Sequence, residues 1–272
     1  MTARNGGFAY GNNRGIELAY ARGAPDYFYL LNPDAQIRPG AIRVLSEFLR
    51  THPSVGIVGG SFENADGSDW PIAFRFPTPL SELLQGLQLG FLCRMFRRWE
   101  VAQQMDRGRA QPVDWVSGAS MMIRPAVFEA IGTLDEHYFL YFEETDFCRR
   151  AQQAGFATWY VPGSRVMHIG SGITKVNEHS NVLTRKPGYW FDSRRRYFAL
   201  SFGVTRAMLI DVIALASSAL GVVQRALRRR SRRNIPHYTR DLARNSILWR
   251  RNRTLPPAQC FAPPSHPRPR SA

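Results

Sequence analysis

Glu143, Glu144 and Asp146 place three carboxylates within four positions, directly after the aromatic run Phe139-Leu140-Tyr141-Phe142. Like charges this close raise one another's pKa, so grouping them on a partly buried segment costs free energy. General-base chemistry is one use for such a group. Favourable placement at a helix N-terminus, where free N–H groups and the dipole attract acids, is another. The segment by itself leaves both open. Two other residue types bear on the choice. Asn32-Pro33-Asp34 sets a carboxylate just past an apolar run, and His168 lies far downstream in a stretch rich in glycine, with Gly163, Gly170, Ser171 and Gly172 around it. One carboxylate oxygen and one neutral imidazole suit a divalent cation, Mg²⁺ or Mn²⁺, whose shell diphosphate oxygens and water would complete.

These groups need a scaffold, and the hydrophobic pattern supplies one. Residues 27–31 and 55–60 are continuous apolar runs, read as buried strands. Residues 113–123 predict a third strand, with Gly118 permitting close backbone approach. Residues 157–161 and 166–168 predict two more, separated by a turn at Pro162-Gly163. Helices are expected over 12–22, capped by Asn12 and Asn13, and over 40–51, with Ile42, Leu45, Phe48 and Leu49 on one face. Two further helices follow, from 124 to 131 and through the acidic segment to 154, with Gly132 as the C′ residue of the first. Residues 61–79 read as loop or irregular hairpin, and 80–95 as an apolar helical stretch ending in the basic cluster Arg94, Arg97 and Arg98, which covers the core or forms a lid in preference to touching lipid. Alternation of strands and helices predicts an α/β fold with a largely parallel sheet. A carboxylate just past a strand end then stands where such sheets bind ligands.

The net charge of +15 is unevenly spread. From Arg225 onward there are 13 arginines against a single acid, Asp241, so the rest of the chain is close to neutral. Residues 207–223 are mainly apolar but carry Asp211, which suits an interfacial helix better than a spanning one. With Arg228-Arg229-Arg230 and Arg232-Arg233 beyond it, this region predicts docking on an anionic membrane surface. Residues 255–272 are rich in proline and read as disordered. No nucleic-acid-binding pattern accompanies the arginines, and the acidic segment would repel a phosphate backbone, so no nucleic-acid partner is expected. Cys93, Cys148 and Cys260 are odd in number and lack CxxC spacing, which suggests a reducing compartment and no structural metal site.

In order, the chain carries Asn5-Gly6-Gly7-Phe8-Ala9-Tyr10-Gly11-Asn12-Asn13-Arg14-Gly15, then Tyr29-Leu30-Leu31-Asn32-Pro33-Asp34-Ala35, then Trp115-Val116-Ser117-Gly118-Ala119-Ser120-Met121-Met122-Ile123. Asp135-Glu136, Phe139-Leu140-Tyr141-Phe142-Glu143-Glu144-Thr145-Asp146 and His168 follow. This succession resembles the GT-A glycosyltransferases of the family 2 type, particularly the rhamnosyltransferase-like branch, over about residues 3–200. The resemblance implies a GT-A, Rossmann-like domain over 1–200, followed by a helical membrane-associating segment over 201–254 and the tail. It implies Asp34, in a DxD-type motif whose first position is Asn32, as a metal ligand beside the donor diphosphate, and His168 as the second ligand. Glu144 matches the catalytic base, with Glu143 beside it and Asp146 supporting the segment. Gly11, Asn12 and Asn13 resemble the donor-side polar loop, and Trp115, Gly118 and Ala119 the acceptor wall. The implied reaction is inverting transfer of rhamnose or another deoxyhexose from a dTDP-rhamnose-like donor to a cell-surface glycan or lipid-linked acceptor. The implied location is the cytoplasmic side, peripheral on the inner face of the cell membrane. The family pattern begins with a βαβ part that this chain lacks, so a truncated domain is expected. The competing expectation is an inactive fragment that retains acceptor or membrane binding.

Overall fold

The computed structural model describes residues 4–23, 25–64, 67–70, 72–168, 184–227, 235–249, 256, 258–261 and 263. In chain order the elements are α1 (Gly7–Arg22), β1 (Phe28–Leu31), β2 (Ala35–Ile37), α2 (Ala41–Thr51), β3 (Val55–Glu63), β4 (Asp69–Trp70) and β5 (Ile72–Phe74). Next come α3 (Pro79–Leu87), α4 (Gly90–Met95), a 3-10 turn at Arg97–Trp99, β6 (Ala102–Gln104), β7 (Gln111–Val113) and β8 (Ser120–Ile123). The remainder is α5 (Pro125–Ile131), α6 (Glu143–Gln153), β9 (Ala157–His168), α7 (Gly188–Phe202), α8 (Val204–Leu227) and α9 (Tyr238–Asn245).

The main sheet has the order β1-β8-β3-β9-β2, with β4 paired to β3 and β7 to β9. The α/β expectation holds, but the sheet is mixed. Among the described pairs only β3–β9 is parallel, while β8 runs antiparallel to both β1 and β3. The two runs 157–161 and 166–168 form one strand. Pro162 and Gly163 lie in an irregularity of that strand, where Gly59 faces Tyr160 and Ser61 already faces Arg165. Such a bulge absorbs the missing proline N–H without ending the ladder.

Side-chain alternation splits the core over the two faces of the sheet. Ile57, Met121, Ile123 and Tyr160 join Phe28, Phe128 and Phe147 on one face. Val58, Met122 and Val161 meet Leu45 and Leu49 of α2 on the other. Burying each of those leucines contributes about 1.5–3 kcal/mol. Ile42, expected on the inward face of α2, is exposed, and Ala41 takes its place.

The apolar stretch 80–95 breaks into two helices at Gln88, whose φ of 49° lies in the left-handed region. Thr78 and Ser81 form a capping box at the start of α3. A second core gathers Tyr138, Tyr197, Phe198, Ile210 and Ile247 around α7 and α8. The C-terminal region departs from the expected disorder at its described residues. Thr133 N–H donates to Phe261 O at 2.9 Å, Phe261 N–H to Thr133 Oγ1 at 2.9 Å, and Gln259 N–H to the Asp135 carboxylate at 3.0 Å. These hydrogen bonds, one backbone to backbone and two from backbone N–H to side-chain oxygens, tie residues 259 and 261 to the loop after α5. The runs Arg228–Arg230 and Arg232–Arg233, and the loop residues Gly170, Ser171 and Gly172, lie outside the described residues.

Candidate active site

β1 ends where the apolar run meets Asn32-Pro33. Asn32 N–H donates to Ala119 O at 3.1 Å, and Ala35 N–H donates to Asn32 O at 3.1 Å, so residues 32–35 form a turn tied to the start of β8. The turn hands the chain to β2, which pairs antiparallel with β9 and sets the Ala35 backbone opposite that of His168. Asp34 and His168 are therefore neighbours along the backbone, although 134 residues separate them in the sequence. The carboxyl ends of β1, β3 and β9 all point to this edge, together with the amino ends of β2 and β8, because β8 and β2 run against their neighbours.

Glu143 and Glu144 open α6 at the same edge. Gly118 lies against that helix, since a Cβ built there would stand 3.8 Å from the Glu144 Cβ. It would also stand 2.8 Å from Phe8 Cζ, so the close approach allowed by this glycine is taken by the Phe8 ring. Tyr141 and Phe142, immediately before the helix, have φ of 71° and 68°. Two successive left-handed residues with side chains store strain, and such strain persists where the surroundings over-determine it. Those surroundings are aromatic. Tyr141 stacks with Tyr189 at 6.1 Å between ring centroids, and Phe142 packs on Trp190 and Tyr197.

A carboxylate just past β1, a histidine backbone opposite it and two glutamates at a strained helix start thus share one end of the sheet. A profile of the family described as glycosyltransferase like family 2 matches residues 2–197. The chain is a family 2 glycosyltransferase. Two strains of Mycobacterium tuberculosis each have an N-acetylglucosaminyl-diphospho-decaprenol L-rhamnosyltransferase that is 29% identical over 245 residues, covering 86% of this chain and 78% of that protein. Rhamnosyltransferase WbbL of Escherichia coli K12 is 25% identical over 170 residues, covering 60% of this chain and 61% of its own length. The low-salt glycan biosynthesis hexosyltransferase Agl10 of Haloferax volcanii is 33% identical over 151 residues, or 55% of this chain and 44% of that one.

Within this glycosyltransferase the three acids have different surroundings. Asp146 is buried and its Oδ2 accepts from Arg150 Nε at 2.8 Å, while Arg150 also donates to Ile131 O and Thr133 O. Burial pushes the Asp146 carboxyl upward and Arg150 pulls it partly back. Asp146 therefore braces the segment. Glu144 is half-buried at the Gly118 side. Glu143 is buried, and its Oε2 has no hydrogen-bond partner among the described residues. Burial pushes its carboxyl well above the usual range, and the adjacent Glu144 adds to the shift.

The folded chain keeps a proton on Glu143 at pH values where the unfolded chain has released it. This contribution is therefore lost as pH rises from the ordinary carboxylate range through the raised folded value. Glu143→Gln is expected to raise Tm at pH 8 by about 2–4 °C, the response to each ~1 kcal/mol in a chain of this size. The gain should shrink toward pH 5, and a gain of equal size at both pH values would contradict the assignment.

Other candidate positions lie elsewhere than the sequence suggests. Residues 7–15 are helical, so Asn12 and Asn13 sit inside α1 and do not cap it. Asn12 Nδ2 donates to Phe8 O at 2.9 Å within that helix. Asn13 is fully buried, with Nδ2 donating to Leu134 O at 2.8 Å and to Glu136 Oε1 at 3.0 Å, and Oδ1 accepting from Leu134 N–H at 3.1 Å. An amide so engaged is a scaffold link between α1 and the loop after α5. Gly11 is exposed on the same helix, with open space where a Cβ would stand. The Ala119 methyl is buried with Phe62 and Val166. Trp115 is half-buried, stacks on Phe74 at 4.0 Å and donates from Nε1 to Arg75 O at 3.0 Å.

Two ion-pair groups were missed because their members are distant in sequence. The Glu63 carboxylate accepts from Arg38 Nε at 2.7 Å and Arg165 Nε at 2.6 Å, fastening β2 and β9 to the end of β3. Asp135, fully buried, accepts from Arg196 Nε of α7 at 2.7 Å. Burial opposes the Asp135 charge, but Arg196 and the amides of Gln259 and His137 outweigh it and hold the carboxyl below its usual range.

Proposed function

We propose that this glycosyltransferase transfers rhamnose or another deoxyhexose, with inversion, from a dTDP-rhamnose-like donor to a lipid-linked acceptor or growing cell-surface glycan. One observation carries the reading: a single sheet edge brings together Asp34, the His168 backbone, Gly118 and Glu144. The rhamnosyltransferase names of the mycobacterial and enteric relatives support the sugar, and the diphospho-decaprenol in the former supports a lipid-linked acceptor.

In this mechanism Glu144 accepts the proton of the acceptor hydroxyl while that oxygen attacks the anomeric carbon. The bond to the nucleoside diphosphate breaks on the opposite side, which inverts the configuration. The strained Tyr141-Phe142 pair, packed on Tyr189, Trp190 and Tyr197, holds the helix start, and Asp146 ties it through Arg150 to the end of α5 and the loop after it. Asp34 and His168 would hold a divalent ion. Among the described residues no group of three or more His, Cys, Asp or Glu is arranged to hold a metal. An ion held there would neutralise charge on the departing diphosphate.

The test combines turnover with binding. Transfer is assayed with dTDP-rhamnose and a diphospho-lipid N-acetylglucosamine acceptor, and dTDP binding is followed by calorimetry with and without Mn²⁺. Asp34→Ala and His168→Ala are each expected to weaken Mn²⁺-dependent dTDP binding at least about tenfold. Unchanged dTDP affinity in chelator and in both variants would overturn the metal assignment. Absence of transfer with every nucleotide-deoxyhexose tried would overturn the proposed donor class.

A further inference from the structure

Helix α8 has two unlike faces. Ala207, Ile210, Asp211, Ala214, Ser217, Ser218 and Gly221 are buried, and this face packs against α7 and α3. A Cβ at Gly86 of α3 would collide with Ser217, and one at Gly221 with the Gly86 carbonyl, so the two helices meet through small residues. They run in the same direction. Glu82 is joined to Asp211 through Arg194, Gly86 faces Ser217 and Gly221, and Gln88 accepts from Arg225 at 3.0 Å. The opposite face of α8 is an uncovered stripe, Leu209, Val212, Leu220, Val223 and Leu227, the last 78% exposed. Over those residues a helix extends roughly 27 Å.

What α3 does at its end gives this stripe a partner. Gln88 turns the chain in the left-handed region, so α4 starts beside the C-terminal end of α8. Phe91 (66% exposed) and Met95 (56%) of α4, with Trp99 in the following turn, recur every four residues and are all exposed. Between them stand Arg94, Arg97 and Arg98, also exposed. From Gln88 to Trp99 there is no acid, and the single acid of α8, Asp211, is buried against Arg194.

We propose that α4 and the outer face of α8 form one lipid-inserting surface, which docks this chain flat on an anionic bilayer. Charge selects the occupant. Apolar side chains rimmed by arginines match an interface of acyl chains under anionic headgroups. A second copy of the chain on the same face would bring the three arginines of one α4 toward those of another. α8 is the single described helix long and apolar enough to cross a membrane. Crossing would strip α3 and α7 from its buried face and expose Asp211 and Arg194 to lipid. The inference deepens the proposed use of a lipid-linked acceptor, but vesicle binding is read without turnover, so either can fail alone.

The experiment is flotation of the full chain with phosphatidylcholine vesicles, with and without phosphatidylglycerol. Binding to the anionic vesicles is expected to exceed binding to the neutral ones by at least about tenfold. Phe91→Glu/Met95→Glu should lower binding at least about tenfold, and Arg94→Glu/Arg97→Glu/Arg98→Glu about a hundredfold, at unchanged Tm. Leu18→Glu, at an exposed leucine on α1, should bind as the native chain does. Trp99 adds a second reading: the emission blue shift seen on anionic vesicles should diminish in Trp99→Phe. Native binding by Phe91→Glu/Met95→Glu would overturn the proposal. So would a native chain that stays unbound, or a dimer in solution that this double variant abolishes.

Discussion

Replacing Glu144 with glutamine is expected to lower kcat about 10²–10⁴-fold, the range that a positioned general base contributes. The carboxamide keeps the size of the side chain, so the contact with Gly118 and the start of α6 should survive. Only the capacity to take a proton is removed. Affinity for dTDP with Mn²⁺ should therefore stay within about twofold, since a change confined to the transition state lowers kcat and kcat/KM together. Glu143→Gln provides the contrast. Its carboxyl is buried and pushed upward, so it holds its proton more tightly than Glu144 and is the poorer base, and its replacement should leave most turnover in place. The measurement is steady-state rhamnosyl transfer by both variants. Near-native kcat in Glu144→Gln, with a collapse in Glu143→Gln, would move the base by one residue. Near-native kcat in both would remove the base from this segment altogether.

The largest expected loss of stability is at Arg194. Its guanidinium is buried and donates from Nε and Nη2 to Glu82 Oε2 at 3.1 and 2.7 Å, and from Nη1 to Asp211 Oδ1 at 2.5 Å. Asp211 in turn accepts from Ser246 Oγ at 2.6 Å and Ile247 N–H at 2.9 Å. One side chain thus links α3, α7, α8 and the turn after α9. Burial opposes the arginine charge, but Glu82 and Asp211 outweigh it and hold it ionised. Arg194→Met would leave two carboxylates buried without their cation, at a cost of about 3–5 kcal/mol. That is a large share of the ~5–15 kcal/mol that holds a typical domain together. It corresponds to a Tm lower by about 6–20 °C. The triple variant Arg194→Met/Glu82→Gln/Asp211→Asn should recover much of the loss, because it removes the charges as well as the pair. Equal Tm for Arg194→Met and the native chain would show that the cluster contributes nothing net. A triple variant no more stable than Arg194→Met would show that packing, and not charge, sets the cost.

Much of the scaffold is legible locally. The apolar runs around Phe28–Leu31 and Val55–Gly60, the Pro125 start and Gly132 stop of α5, and the acidic opening of α6 follow from side-chain type and spacing alone. The errors cluster where distant partners decide. Asn13 reads as a cap or ligand contact from its neighbours, yet Leu134 and Glu136 occupy its amide. Asp211 reads as the mark of an interfacial helix, yet it is buried, and Arg194 lies 17 residues earlier on α7 to meet it. Pro162-Gly163 reads as a turn, yet β3 and β9 pair on both sides of it.

Family and motif order, from Asn32-Pro33-Asp34 through Glu143-Glu144 to His168, are legible along the chain because motif chemistry and hydrophobic period are carried by residues close together. The mixed sheet, the pinning of the Asp34 turn to Ala119 with His168 opposite Ala35, and the face of α8 that hides Asp211 and shows its leucines emerge from long-range packing. Strand direction and the burial of a charge depend on which partner arrives from far along the chain, and short-range propensity does not contain that information.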